Sequence, residues 1–116
     1  MTLHTELIDN IISHYGERLV DTPQQSYDAV TLSFTNNTAV EIRFAGEDEY
    51  SLKWNSAEKE FRIDTAPLHP ELSTFPNHLH LSNGEMRADP FTTPGNPPWE
   101  NVKAVLDNIL ENPIIE

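Results

Sequence analysis

Three of the five histidines of this 116-residue chain fall within one stretch, Ala66-Pro67-Leu68-His69-Pro70-Glu71-Leu72-Ser73-Thr74-Phe75-Pro76-Asn77-His78-Leu79-His80. Imidazole titrates nearest neutrality, so it can move protons or ligate a metal at cellular pH. Pro67, Pro70 and Pro76 fix φ and reduce the freedom of the loop that carries the histidines. His78 and His80 stand two residues apart, the spacing that puts both on one face of a strand, and His69 and Glu71 repeat it upstream. Two chemistries suit this set. In one, His78 and His80, joined by the upstream pair, hold zinc or another first-row divalent ion. In the other, the histidines act without metal as general base and acid, as in transesterification of RNA. Arg62 or Arg87 would then neutralise a phosphate, and Tyr50 or Thr74 would donate a hydrogen bond. The candidate catalytic residues are His69, Glu71, His78 and His80; the candidate metal ligands are His78 and His80. A structural role, in which the histidines satisfy loop carbonyls at proline corners, is the alternative.

The elements that must position this loop follow from apolar periodicity. Leu3, Leu7, Ile8, Ile11, Ile12 and Tyr15 make a helical stripe, with Thr2 or Thr5 as cap and Gly16 as stop. His4 and His14 lie on that helix as surface residues. Beyond a polar loop from Asp21 to Ser26 the period changes to two. Val30, Leu32 and Phe34, then Val40, Ile42 and Phe44, alternate with polar residues. Both sets are even-numbered, so an odd connection is required, and Asn36-Asn37-Thr38 supplies three residues. After a turn at Gly46-Glu47-Asp48 come Tyr50, Leu52 and Trp54, then Phe61 and Ile63. That last switch from even to odd demands a loop of two or four residues within Asn55-Ser56-Ala57-Glu58.

His78–Leu81 and Met86–Ala88 flank the turn dipeptide Asn83-Gly84 and form a short fifth hairpin. Four prolines and Gly95 keep residues 89–98 irregular. A second helix runs from Pro97 or Pro98 to about Glu111, capped by Asn96 and ended by Asn112-Pro113. Trp54 and Trp99 read as core aromatics. The predicted architecture is α+β in one domain over residues 1–116: an N-terminal helix packed on an antiparallel meander of four to six strands, a histidine/proline loop at 64–80, a proline-rich loop at 89–98, and a C-terminal helix.

Composition narrows the function. The absence of cysteine excludes disulfides, thiolate zinc sites and thiol nucleophiles. Four scattered glycines make no phosphate-binding loop. Nineteen acidic residues against seven basic ones give a net charge of −12, a field that repels phosphate backbones and anionic membranes and attracts a basic protein partner. Nucleic acid enters only as a substrate. No apolar run reaches the length of a membrane span, and the N-terminus lacks a basic start and apolar block, so a cytoplasmic location is expected.

The order Pro67, His69, Pro70, Glu71, Thr74, Phe75, Pro76, His78 and His80, downstream of the Tyr50-Ser51-Leu52-Lys53-Trp54 strand, resembles the TumE family of toxin–antitoxin toxins over about residues 27–81. That family carries a signature close to Asp-Asn-Ala-Pro-His-His-Pro-Glu-aliphatic-x-Thr-Phe-Pro-His-His-x-His. Leu68 and Asn77 depart from it, each standing where the family has the first histidine of a pair. The resemblance implies the toxin of a two-component module, inhibited by a neighbouring DNA-binding antitoxin, with a nuclease acting on RNA as the activity most compatible with histidine chemistry. A non-enzymatic acidic interaction module, whose histidine loop is a structural or docking element, is the competing expectation.

Overall fold

The computed structural model describes residues 2–116. Helix α1 (Leu3–Tyr15) is capped by Thr2, whose Oγ1 accepts from the Thr5 amide. Gly16 does not stop it in a left-handed turn: the residue is right-handed (φ −43°) and the chain tightens into a single 3-10 turn, Gly16–Arg18. Strands β1 (Gln24–Ser26), β2 (Ala29–Ser33), β3 (Ala39–Gly46), β4 (Glu49–Ser56), β5 (Lys59–Asp64), β6 (His78–His80) and β7 (Met86–Ala88) follow, and helix α2 (Pro98–Glu111) closes the chain. The strands pair antiparallel in chain order, a pure meander. The sheet thus has seven strands among the described residues, one above the expected range. The surplus strand, β1, lies in the stretch read as a polar loop. It is exposed throughout and held by backbone pairing to β2, so it carries no apolar alternation.

The hairpin connections obey the parity requirement. Leu32 pairs with Val40, and the Phe34 amide donates to the Thr38 carbonyl, leaving Thr35-Asn36-Asn37 as the loop. It has three residues, as expected, but lies one position earlier than Asn36-Asn37-Thr38. Asn36 explains the shift: its side chain accepts from the Thr38 amide and donates to the Ile109 carbonyl, while Asn37 takes the positive φ. Ala57 and Glu58 form the two-residue turn between β4 and β5, both with positive φ (52° and 64°). Helix α2 begins behind Pro97 rather than a side-chain cap from Asn96. Asn101 in its first turn instead exchanges two hydrogen bonds with the backbone of Thr93.

One face of the sheet carries the apolar core. Val30, Leu32, Phe34, Val40, Ile42, Phe44, Leu52, Trp54, Phe61, Ile63 and Leu79 are buried there under Leu7, Ile11 and Tyr15 of α1 and Val102, Val105, Leu106 and Ile109 of α2. The two helices are tied by the Tyr15 hydroxyl, which donates to Asp107 at 2.6 Å, and Trp54 Nε1 donates to the Pro113 carbonyl at 2.8 Å. Trp99 packs only partly buried against His14 and Tyr15. Both helices cover the same face, so the opposite face stays open and polar. No described helix is long and apolar enough to cross a membrane.

The Ala57-Glu58 turn places two non-glycine residues in a left-handed conformation that costs roughly 1 kcal/mol or more per residue. Replacing the pair by Asn-Gly is expected to raise stability by about 1 kcal/mol. Urea unfolding should show a higher midpoint at an unchanged slope; a lower midpoint would contradict the turn assignment.

Candidate functional site

The site grows out of the alternation in β5 and β6. Phe61 and Ile63 are fully buried in the core, which turns Arg62 and Asp64 to the open face. Leu79 does the same for His78 and His80. The register then sets Arg62 opposite His80 and Asp64 opposite His78. Two cross-strand pairs on one face thus bring together two imidazoles, a carboxylate and a guanidinium.

Asp64 is the hub. Its Oδ2 lies 3.1 Å from Nε2 of His80 and accepts from Nε of Arg62 at 2.9 Å. Its Oδ1 lies 3.1 Å from Nε2 of His78 and accepts from the Ala66 amide at 3.2 Å. Arg62 also brings Nη2 to 3.3 Å from Nε2 of His80. The rings of His78 and His80 meet edge to face with centroids 4.6 Å apart, and His69 adds a third ring 5.0 Å from His78.

The histidines differ in access. His78 is 1% exposed although it sits on the open face, because the loop at residues 65–77 folds back over it. Its Nδ1 faces the Pro76 carbonyl at 3.2 Å. His80 and His69 remain partly open. The His80 side chain is 22% exposed, and its polar contacts among the described residues all run through Nε2. Burial, above all, lowers the pKa of His80 below 6.5; Arg62 and His78 lower it further, and Asp64 opposes them. The neutral ring is therefore favoured at pH 7; Nε2 meets both Asp64 and the Arg62 guanidinium, and the tautomer that donates from Nε2 to Asp64 leaves Nδ1 as a base.

The loop is anchored by a second polar cluster on its inner side. Asn77, 2% exposed, donates to Asp89 Oδ2 and to the Thr92 carbonyl. Thr74 Oγ1 donates to the Asn77 carbonyl and accepts from the Asp89 amide. Asp89 also receives the amides of Phe91 and Thr92 and pairs with the Thr92 hydroxyl. Tyr50 belongs to this cluster, with its hydroxyl 2.7 Å from Thr92 Oγ1 and its pKa pushed up to about 12 by burial. Neither Tyr50 nor Thr74 is free to bind a phosphate, contrary to the sequence-based expectation.

Arg87 is likewise displaced from the role considered for it. It pairs with Leu79 in register, points away from His78 and His80, and binds Glu85 and the Glu116 carbonyl. Glu71 is exposed and touches the group only through His69, at 3.3 Å. Leu68 is 70% exposed, and Asn77 points inward to Asp89. Asp64 was missed as a member. The signal was present: the buried positions Phe61 and Ile63 set the parity that turns Asp64 outward.

With Asp64, His78 and His80, the cluster has the makings of a divalent-ion site, three donors mutually within 4.8 Å. With Arg62 and His69 it has the parts of an acid–base centre for an anionic substrate. The chain matches the family described as Toxin TumE over residues 4–114, nearly its whole length. No curated protein and no solved structure matches it.

The lowered His80 pKa carries a sign. Its neutral form is favoured in the folded state, so the unfolded chain binds more protons below 6.5. This contribution to stability is complete above 6.5 and is lost as the pH falls from there through the lowered value. In an NMR titration the His80 ring should have its midpoint below 6.5. Arg62→Ala should move it up and Asp64→Asn should move it further down. A midpoint insensitive to both substitutions would contradict the geometry.

Proposed function

Because the chain belongs to the Toxin TumE family, we propose that it is the toxic member of a two-component pair and acts by cleaving RNA at the Arg62, Asp64, His69, His78 and His80 cluster. The observation that carries this reading is the His80 imidazole, held neutral and oriented by Asp64 beside a guanidinium on the open sheet face. In this reading Nδ1 of His80 takes the proton of an RNA 2′-hydroxyl. The 2′-oxygen attacks phosphorus, the bond to the 5′-oxygen breaks, and His69 returns a proton to that leaving oxygen. The products are a 2′,3′-cyclic phosphate and a free 5′-hydroxyl. Arg62 balances the charge that builds on the phosphoryl oxygens. Glu71 orients His69, and His78, closed to substrate, holds the ring stack and the loop.

The strongly acidic chain needs a local cation to tolerate a polyanion, and Arg62 fills that role. The same charge suits a basic, antitoxin-like protein partner and fits a cytoplasmic setting. The competing reading is a non-enzymatic module whose loop docks that partner. The exposed Leu68 and Phe75 on the loop favour it, since apolar side chains beside an acidic surface suit protein contacts.

Expression should arrest growth, and a cognate partner should relieve the arrest. The purified chain should cleave RNA to cyclic-phosphate ends. His80→Ala and His69→Ala should each slow cleavage by about 100-fold or more. RNA left intact by the purified chain, or cut equally well by the His80→Ala protein, would favour the docking module.

A further inference from the structure

We propose that Asp64, His78 and His80 form a binding site for a first-row divalent cation of the zinc class. The argument starts at His78. A carbonyl oxygen can only accept, so Nδ1 of His78 carries the hydrogen that meets Pro76. In the neutral ring, Nε2 is then left with a lone pair 3.1 Å from the Asp64 carboxylate, in a position closed to water. Two acceptors face one another there, and a cation between them resolves the conflict.

A second ring proton is one such cation, but it accounts for His78 alone. His80 aims Nε2 at the other oxygen of the same carboxylate, at 3.1 Å, and Arg62 already donates to that oxygen. A second proton on His78 would set an imidazolium and a guanidinium on one carboxylate, with the His80 ring centroid 4.6 Å away. One divalent ion uses the Nε2 lone pair of each ring, and each neutral ring keeps its single proton on Nδ1.

The spacing agrees. Donors bound at about 2.0–2.1 Å around a tetrahedral ion lie roughly 3.4 Å apart. Here each Nε2 lies 3.1 Å from a different oxygen of Asp64, and one donor atom from each of the three residues lies within 4.8 Å of the other two. The Nδ1–H contact of His78 to a backbone carbonyl is the outer support that orients an imidazole ligand. Two nitrogens and one oxygen match the preferences of zinc. Three protein donors leave a fourth position for water or substrate. Zinc at this site takes the carboxylate oxygens that orient His80, so metal binding and the proton transfer proposed above compete for the same atoms. Binding itself does not depend on that proton-transfer reading.

Calorimetric titration of the metal-stripped full chain with zinc sulfate tests the site. One zinc per chain is expected. His80→Ala and Asp64→Asn, both on the open face, should each weaken binding at least ~10-fold while circular dichroism confirms the fold. Failure of the unsubstituted chain to bind zinc at one per chain would overturn the proposal. So would retention of full affinity by both folded variants, since the ion would then sit elsewhere. A chain that binds one zinc through these residues but never cuts RNA upholds the site and removes the acid–base reading alone.

Discussion

The structure depends on the pairing of β5 with β6. Ile63 and Leu79 face each other in the core, and their burial forces the residues on either side to the opposite surface. A slip of β6 by one residue in that register would drive both histidines into the core and expose Leu79. The cost of burying those polar groups among hydrocarbon would far exceed any local gain. Core packing and site assembly are thus one constraint, satisfied or lost together. The long stretch between the two strands is free to act as a cover because the register does not rely on a tight turn.

That cover is held from below rather than from the site. Asn77, Thr74, Asp89, Thr92 and Tyr50 form a buried, mutually bonded group that fastens the end of the histidine loop to the segment following β7. Such groups are favourable only when every member is satisfied, which makes the fastening nearly all-or-none. Its effect reaches the open face through one residue: Asn77 is pinned inward, and its neighbour His78 is thereby committed outward. The proline-rich segment after β7, which reads as mere irregularity, is therefore part of the frame that holds the histidine loop.

Electrostatics separates the local site from the global surface. The chain carries a large negative charge, yet three of its seven basic residues, Arg43, Lys53 and Arg62, lie on the open sheet face. Arg43 and Lys53 are neutralised by Glu41, and Arg43 also by Asp28. Arg62 differs because its acidic partner is also the partner of two histidines, so its charge is shared rather than cancelled. His80 is accordingly tuned by its burial first and then by one carboxylate and one guanidinium, while His78 is shut away from solvent.

Much of the fold was legible in the chain itself. Period-2 alternation located β2 through β5, the helical stripe located α1, and parity set the odd and even hairpin loops, because those signals are written between near neighbours. Strand β1 left no such trace, since all its residues are exposed and its order comes from backbone pairing to β2. The helices end and begin where the sequence places them, after Tyr15 and at Pro98. A right-handed Gly16 leading into a 3-10 turn, and Pro97, stand in for the expected glycine stop and Asn96 cap. At the site, the chain by itself determined the donor types and the shared face of His78 and His80. Only the tertiary structure chose Asp64 over Glu71 as their common carboxylate, Arg62 over Arg87 as their cation, and His80 as the solvent-facing ring beside a buried His78. The physical reason is that partner choice depends on strand register and on the path of a long loop, and neither is encoded in the spacing of the histidines themselves.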